Sequence, residues 1–183
     1  MEVKGTAIAS LSSFIKEKFK DDGYKKWIES LSTESKTVYT EVILPSNWYP
    51  LTVAYSEPLN IACDLFYKKN ASSMKESGKY SAESALKGVY KVFIKPGSPD
   101  YIINKAPLIL QAYFKPPLVT SQINGSTALI KISNFTGMTH VIEHRLIGWI
   151  EHALELSNCT GITVTAANSN ANGIDFNLKW HSK

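Results

Sequence analysis

The chain predicts an α+β fold in which N-terminal helices pack on a C-terminal antiparallel sheet, with one long helix laid across it. Three observations carry this. Ile174, Phe176, Leu178 and Trp180 alternate with Asp175, Asn177 and Lys179, as a strand with one face in a core and one in water requires. The preceding linker, Asn168 to Gly173, ends in Asn-Gly, a pair that accepts positive φ cheaply and so predicts a hairpin with the Ile162–Ala166 run. Upstream, apolar residues recur at helical spacing in several separate stretches.

Taken in order, Met1 to Gly5 reads as a short edge strand or extended lead-in. Ala7, Ile8, Leu11, Phe14, Ile15 and Phe19 predict an amphipathic helix from Thr6 to Lys20, stopped by Asp21-Asp22-Gly23. A short helix follows on Tyr24, Trp27, Ile28 and Leu31, and Ser32 to Ser35 caps a third segment that runs through Val38, Val42 and Ile43. In Leu44 to Pro50 two prolines fix extended geometry around Trp48 and Tyr49. That stretch reads as a packed corner, and also as one wall of a ligand pocket. Val53 to Tyr67 reads as a helix with Pro58 in its first turn.

Lys68 to Tyr80 is small and polar and reads as a loop with a weak helical turn. Ala82, Ala85, Leu86, Val89, Tyr90 and Phe93 then mark a helix over Ser81 to Ile94, with a lysine face opposite. Pro96-Gly97-Ser98-Pro99 ends it, and a further helix spans Asp100 to Phe114, kinked or begun at Pro107. Strands around Leu118-Val119 and Ala128–Ile132 join near Asn124-Gly125. Met138 to Ser157 is the long helix, apolar at Ile142, Leu146, Trp149, Ile150, Ala153, Leu154 and Leu156.

Composition narrows the function. With 183 residues, 44% hydrophobic and 20% charged, the chain reads as one globular domain over 1–183. A net charge of +4 with lysines scattered, and Arg145 as the single arginine, speaks against nucleic-acid recognition. No apolar run approaches the roughly 20 residues a membrane span needs, and no secretory signal precedes Cys63 and Cys159, so free thiols in a cytoplasmic protein are expected. His140 and His144 stand one helical turn apart, a spacing that suits a metal, but no zinc-protease signature accompanies them and no metal is expected. There is no Gly-x-Ser-x-Gly elbow, Cys/His context or phosphate loop, so no catalytic residue is assigned and no enzyme is expected.

Several pieces in order resemble a family: Val3-Lys4-Gly5, Leu44 to Pro50, Ser81-Ala82-Glu83, Lys87-Gly88-Val89-Tyr90, Gly97-Ser98-Pro99, Gly148-Trp149 and Phe176-x-x-x-Trp180. The set is similar to an uncharacterised bacterial domain family abundant in myxobacteria. That family is related to the vinyl-reductase-like and heme-nitric-oxide-binding domains and, more distantly, to the TRAPP transport subunits. The resemblance implies an α+β domain that binds or senses rather than reacts, often as a regulatory module. Some relatives carry a cysteine pair in the last hairpin; here Ile174 stands where one is expected, and no cysteine lies between Ile162 and Trp180. The chain also lacks a Tyr-x-Ser-x-Arg motif and a heme-type histidine context, so no cofactor is expected.

The reading is therefore a non-catalytic small-molecule-binding or sensory module with an apolar pocket between helices and sheet. Its candidate ligand residues are Trp48, Tyr49, Tyr90, Phe93, Trp149 and Trp180, suited to a hydrophobic small molecule. The alternative is a scaffold acting as a homodimer or with a signalling protein partner.

Overall fold

The structure, a computed structural model, describes residues 1–88 and 91–182. Strand β1 (Glu2–Lys4) runs directly into helix α1 (Gly5–Glu29). β1 is no edge strand: it lies between β2 (Trp48–Pro50) and β3 (Phe114–Lys115) in a three-stranded antiparallel sheet, with Val3 opposite Tyr49 and Phe114. Two partners cover both of its backbone edges, and Val3 is wholly buried.

Asp21-Asp22-Gly23 does not stop α1. The helix kinks at Lys20, where φ is +61°, and continues to Glu29. Tertiary packing overrides the local stop signal. Phe19 stacks on Phe66 at 3.9 Å, and Trp27 is fully buried with its indole N–H donating to the Pro58 carbonyl at 3.0 Å. Helix α2 (Thr33–Thr40) starts where expected, with Ser32 accepting from the Ser35 N–H. It ends before Val42, which is 83% exposed and has nothing to pack against. A single π turn over 52–56 precedes α3 (Glu57–Tyr67), with Pro58 in the first turn as the sequence required.

The largest departure is α4 (Lys75–Lys87), which begins inside the stretch read as a loop and ends well short of Ile94. Its Val89 and Tyr90 positions lie outside the described residues. Helix α5 (Pro99–Tyr113) carries Pro107 in its interior rather than at its start.

The C-terminal half follows its pattern closely. β4 (Leu118–Asn124), β5 (Thr127–Ser133), β6 (Cys159–Asn170) and β7 (Gly173–Ser182) form an antiparallel sheet ordered β4-β5-β7-β6. Ile174, Phe176, Leu178 and Trp180 face the core, none more than 3% exposed, beside Ile130 and Ile132 of β5. Helix α6 (His140–Leu156), N-capped by Thr139 on the Ile142 N–H, is the long helix laid across this sheet. The architecture is thus the expected α+β arrangement of helices and antiparallel sheet. Among the described residues, no helix is long and apolar enough to cross a membrane.

Candidate functional site

Two glycines set the site. A Cβ on Gly78 of α4 would stand 1.9 Å from the Arg145 carbonyl oxygen, and one on Gly148 of α6 would stand 2.1 Å from the Lys75 carbonyl. The two helices therefore cross with backbone on backbone, an approach only glycine permits. That crossing drives the Arg145 side chain through the helical layer toward α1.

Arg145 is 2% exposed. Its Nε donates to the Tyr55 hydroxyl at 2.8 Å, Nη1 to the Ser77 carbonyl at 3.1 Å and Nη2 to the Ser10 hydroxyl at 2.9 Å. The guanidinium carbon lies 5.5 Å from the Tyr55 ring centroid. All three acceptors are neutral, and no carboxylate among the described residues pairs with it. Beside it, between α6 and the N-terminal helices, is a cavity of about 30 Å³ bordered by Ala7, Ile109, Leu110 and Trp149. That is about the liquid volume of one water.

Beyond Ser81 and Tyr113, which border both spaces, the surface opens into a cleft of about 520 Å³ between α1, α4 and the end of α5. Ala9, Ser10 and Ser13 line one side, Ser81, Ser84 and Ala85 the other, and Lys4, Trp48 and Tyr80 stand around it. The Ser10 and Ser81 hydroxyls are 3.2 Å apart and bridge the floor, with Ser10 donating to the Ala7 carbonyl. The hydroxyls of Thr6, Ser13 and Ser84 have no partner among the described residues. Among the described residues no acid lines the cleft; Glu17 accepts from the Tyr80 hydroxyl at 3.0 Å. Burial, then that hydrogen bond, pushes the Tyr80 phenol up.

The six residues read from the sequence do not surround one space. Trp48 lines the cleft, with Lys4 Nζ 4.5 Å and Lys115 Nζ 5.6 Å from its ring centroid. Tyr49 is held in β2, its hydroxyl accepting from the Leu44 N–H at 2.9 Å. Trp149 borders the small cavity, Phe93 is half-buried at the core's edge, and Trp180 is sunk under the sheet at 1% exposure. Tyr90 lies outside the described residues. Arg145, Ser10, Ser81, Tyr80 and Tyr113 were missed. One signal could have found them: the chain's single arginine shares a helix face with Val141, Ile142 and Trp149, one turn away on either side.

Other groups gather no chemistry. His140 is 83% exposed with Nδ1 3.4 Å from Glu143, and among the described residues no three His, Cys, Asp or Glu side chains stand close enough to hold an ion. Cys63 and Cys159 are free and buried, and burial followed by Asp64 or Asp100 raises each thiol, which makes the thiolate scarce.

No protein-family model and no curated protein sequence matches the chain. Solved structures do. An Fe(II) unliganded H-NOX mutant from K. algicida has a TM-score of 0.75 at 10% identity, over 98% of this chain and 97% of that one. A mutant H-NOX from T. tengcongensis has a TM-score of 0.72 at 11% identity, over 98% of both chains. An S. oneidensis H-NOX in the Fe(II)NO state has 0.69 at 12%, over 98% and 99%. The chain has the H-NOX fold.

The heme that this family's name implies does not fit the residues present. A heme needs a slot and an axial histidine, cysteine, methionine or tyrosinate. The space between α6 and the N-terminal helices is about 30 Å³, far below the roughly 300 Å³ at which ligand pockets begin. Among the described residues no histidine, cysteine or methionine lines the cleft, and burial pushes the phenol of Tyr80 up, away from tyrosinate. All four histidines lie at or after residue 140, on α6 and β7.

Proposed function

We propose that this chain is a non-catalytic small-molecule-binding module, sensory or regulatory in role, working in the cytoplasm on the H-NOX fold without a heme. The observation that carries this is the cleft of about 520 Å³, which falls within the range of small-molecule sites and combines aromatic walls with a few placed polar groups. The neighbours support a binding role: one printed title describes an H-NOX in its Fe(II)NO state and another an oxygen-binding H-NOX domain. The ordered motifs shared with the myxobacterial-type family support the same reading.

Native mass spectrometry of the purified chain, before and after denaturation, tests it. The expected result is an extra organic mass lost on denaturing, and absent from a Ser84→Trp variant whose side chain fills the cleft. The same extra mass retained by Ser84→Trp would place the ligand elsewhere and overturn the cleft. A second reading, a homodimer or partner-binding scaffold, is favoured by Val42 (83% exposed) and Leu44 (48%) beside the cleft's Pro45. A mass that doubles with concentration and reverts on Val42→Asp would support it.

A further inference from the structure

The single arginine of this chain is buried without a counter-charge. Removing a cation from water costs several kcal/mol unless an anion or a full set of hydrogen bonds offsets it. A guanidinium has five N–H donors. Three are taken here, by the Tyr55 hydroxyl, the Ser77 carbonyl and the Ser10 hydroxyl. One N–H remains on each terminal nitrogen, the pair that a planar carboxylate accepts with two oxygens. The cavity beside the guanidinium is separated from the open cleft by Ser81 and Tyr113 alone among residues bordering both. The Ser10 hydroxyl, which holds Nη2, itself faces the cleft.

The cleft's charge points the same way. Among the described residues its one charged side chain is Lys4, and no acid lines it. Glu17 stands behind the Tyr80 hydroxyl and is occupied by it. The walls are apolar or aromatic: Ala9, Ala85, Pro45, Trp48, Tyr80 and Tyr113. A ligand that matches both parts has an apolar body and one flat anionic head.

We propose that the cleft binds an organic carboxylate, its body lying between α1 and α4 and its carboxylate reaching past Ser10 and Ser81 to the two free N–H groups of Arg145. This rests on the small-molecule reading above and names the ligand's chemical class. The Ser10 hydroxyl accepts from Nη2 and donates its own proton to the Ala7 carbonyl, so it is satisfied whether or not a ligand is bound. Lys4 at the rim adds attraction during entry and little to the bound state, because it is only half-buried.

The test compares a carboxylate with its uncharged isostere on the full-length chain labelled with ¹⁵N. 3-Phenylpropanoate, 3-phenylpropanamide and inorganic phosphate are titrated at constant ionic strength. The Arg145 Nε–H and the amides of Ser10, Ser81 and Ser84 are followed. The acid should shift the Arg145 Nε–H and bind at least about tenfold tighter than the amide, as a charge-assisted pair requires. Arg145→Lys, which keeps the charge and loses the fork, should lose most of that preference. Since this variant also gives up internal hydrogen bonds and can unfold, Ser84→Trp serves beside it: filling the cleft should abolish the Arg145 Nε–H shift from the acid, and a retained shift would overturn the cleft as the route to Arg145. Equal binding of acid and amide, with shifts at Ser84 from both, overturns the carboxylate and leaves the cleft standing. Phosphate shifting Arg145 as strongly as the acid overturns it in favour of a tetrahedral anion. No shift from either organic probe up to about 1 mM overturns the carboxylate and the cleft together.

Discussion

Along α4, the side turned to α6 and the side turned to α1 are made of similar small residues, yet one is closed and the other open. Toward α6, Gly78 meets the Arg145 carbonyl with no room for a methyl group, and Gly148 answers it from the other helix. Toward α1, Ser81, Ser84 and Ala85 look across a gap at Ala9, Ser10 and Ser13. Small side chains permit either result. What decides is where the backbones are held, and here ion pairs clamp the closed side. Lys75 donates to Glu151 and Lys79 to Glu155, each at 2.7 Å. His152 lies between Glu83 at 2.6 Å and Glu155 at 2.7 Å. Toward α1, Lys18 pairs with Glu76 and Tyr80 donates to Glu17, but among the described residues only the Ser10–Ser81 contact joins the two helices at the cleft floor.

The sharpest way to break this contrast is to enlarge a residue on the closed side. Gly78→Val forces two backbones apart and should cost about 4 kcal/mol or more, read as a lower urea midpoint, or prevent folding. A loss below about 1 kcal/mol would show that the helices slide freely and that the closed side is not closed.

A pH titration sharpens the contrast next. On the closed side, Nδ1 of His144 is buried with no hydrogen-bond partner. Burial lowers its pKa; Glu143 and Glu151 raise it, while Lys75 and His140 lower it. The folded value thus lies below the unfolded one, near 6.5. As pH falls through 6.5 the unfolded chain binds a proton that the folded chain refuses, so stability should fall there and hold steady above it. His144→Leu should flatten that acid limb in urea melts from about pH 7 to 5. An unchanged limb would assign it to other groups.

Smaller still is the clamp itself. His152→Gln should lose about 1 kcal/mol or less, because its partners Glu83 and Glu155 are both about two-fifths exposed. The difference should shrink in 1 M salt, where screening acts within about 3 Å. The smallest effect belongs to the open side: Ser84→Ala should shift stability by under about 0.5 kcal/mol, since its hydroxyl has no partner there. A larger loss would mean that Ser84 is packed rather than facing a cleft.

The C-terminal half was legible because its periods are local. Each of the four alternating residues from Ile174 to Trp180 reports its own face, and the Asn-Gly pair at 172–173 lies at the turn into β7. Thr139 and Ser32 capped helices as their residue types demand, although only Ser32 was picked out beforehand. The N-terminal half misled where distant contacts decided. Asp21 to Gly23 carries a stop signal that burial of Trp27 overrode. Lys75 to Tyr80 reads as a loop because it is polar, lacks an apolar period and carries Ser77 and Gly78, both weaker helix formers, and the partner that makes Gly78 an asset lies some 70 positions along the chain. Among the described candidates Trp48 alone lines the cleft, while Trp149 and Trp180 border other places.

By itself the sequence determined the α+β class, the sheet's inward face, the long helix and the scarcity of catalytic groups, all of which follow from nearest-neighbour periodicity and residue type. Only the tertiary structure decided that β1 is a central strand, that α4 begins at Lys75 and that Arg145 is buried among neutral acceptors beneath a cleft. Those outcomes depend on which backbones approach each other, and that distance is fixed by residues far apart in the chain.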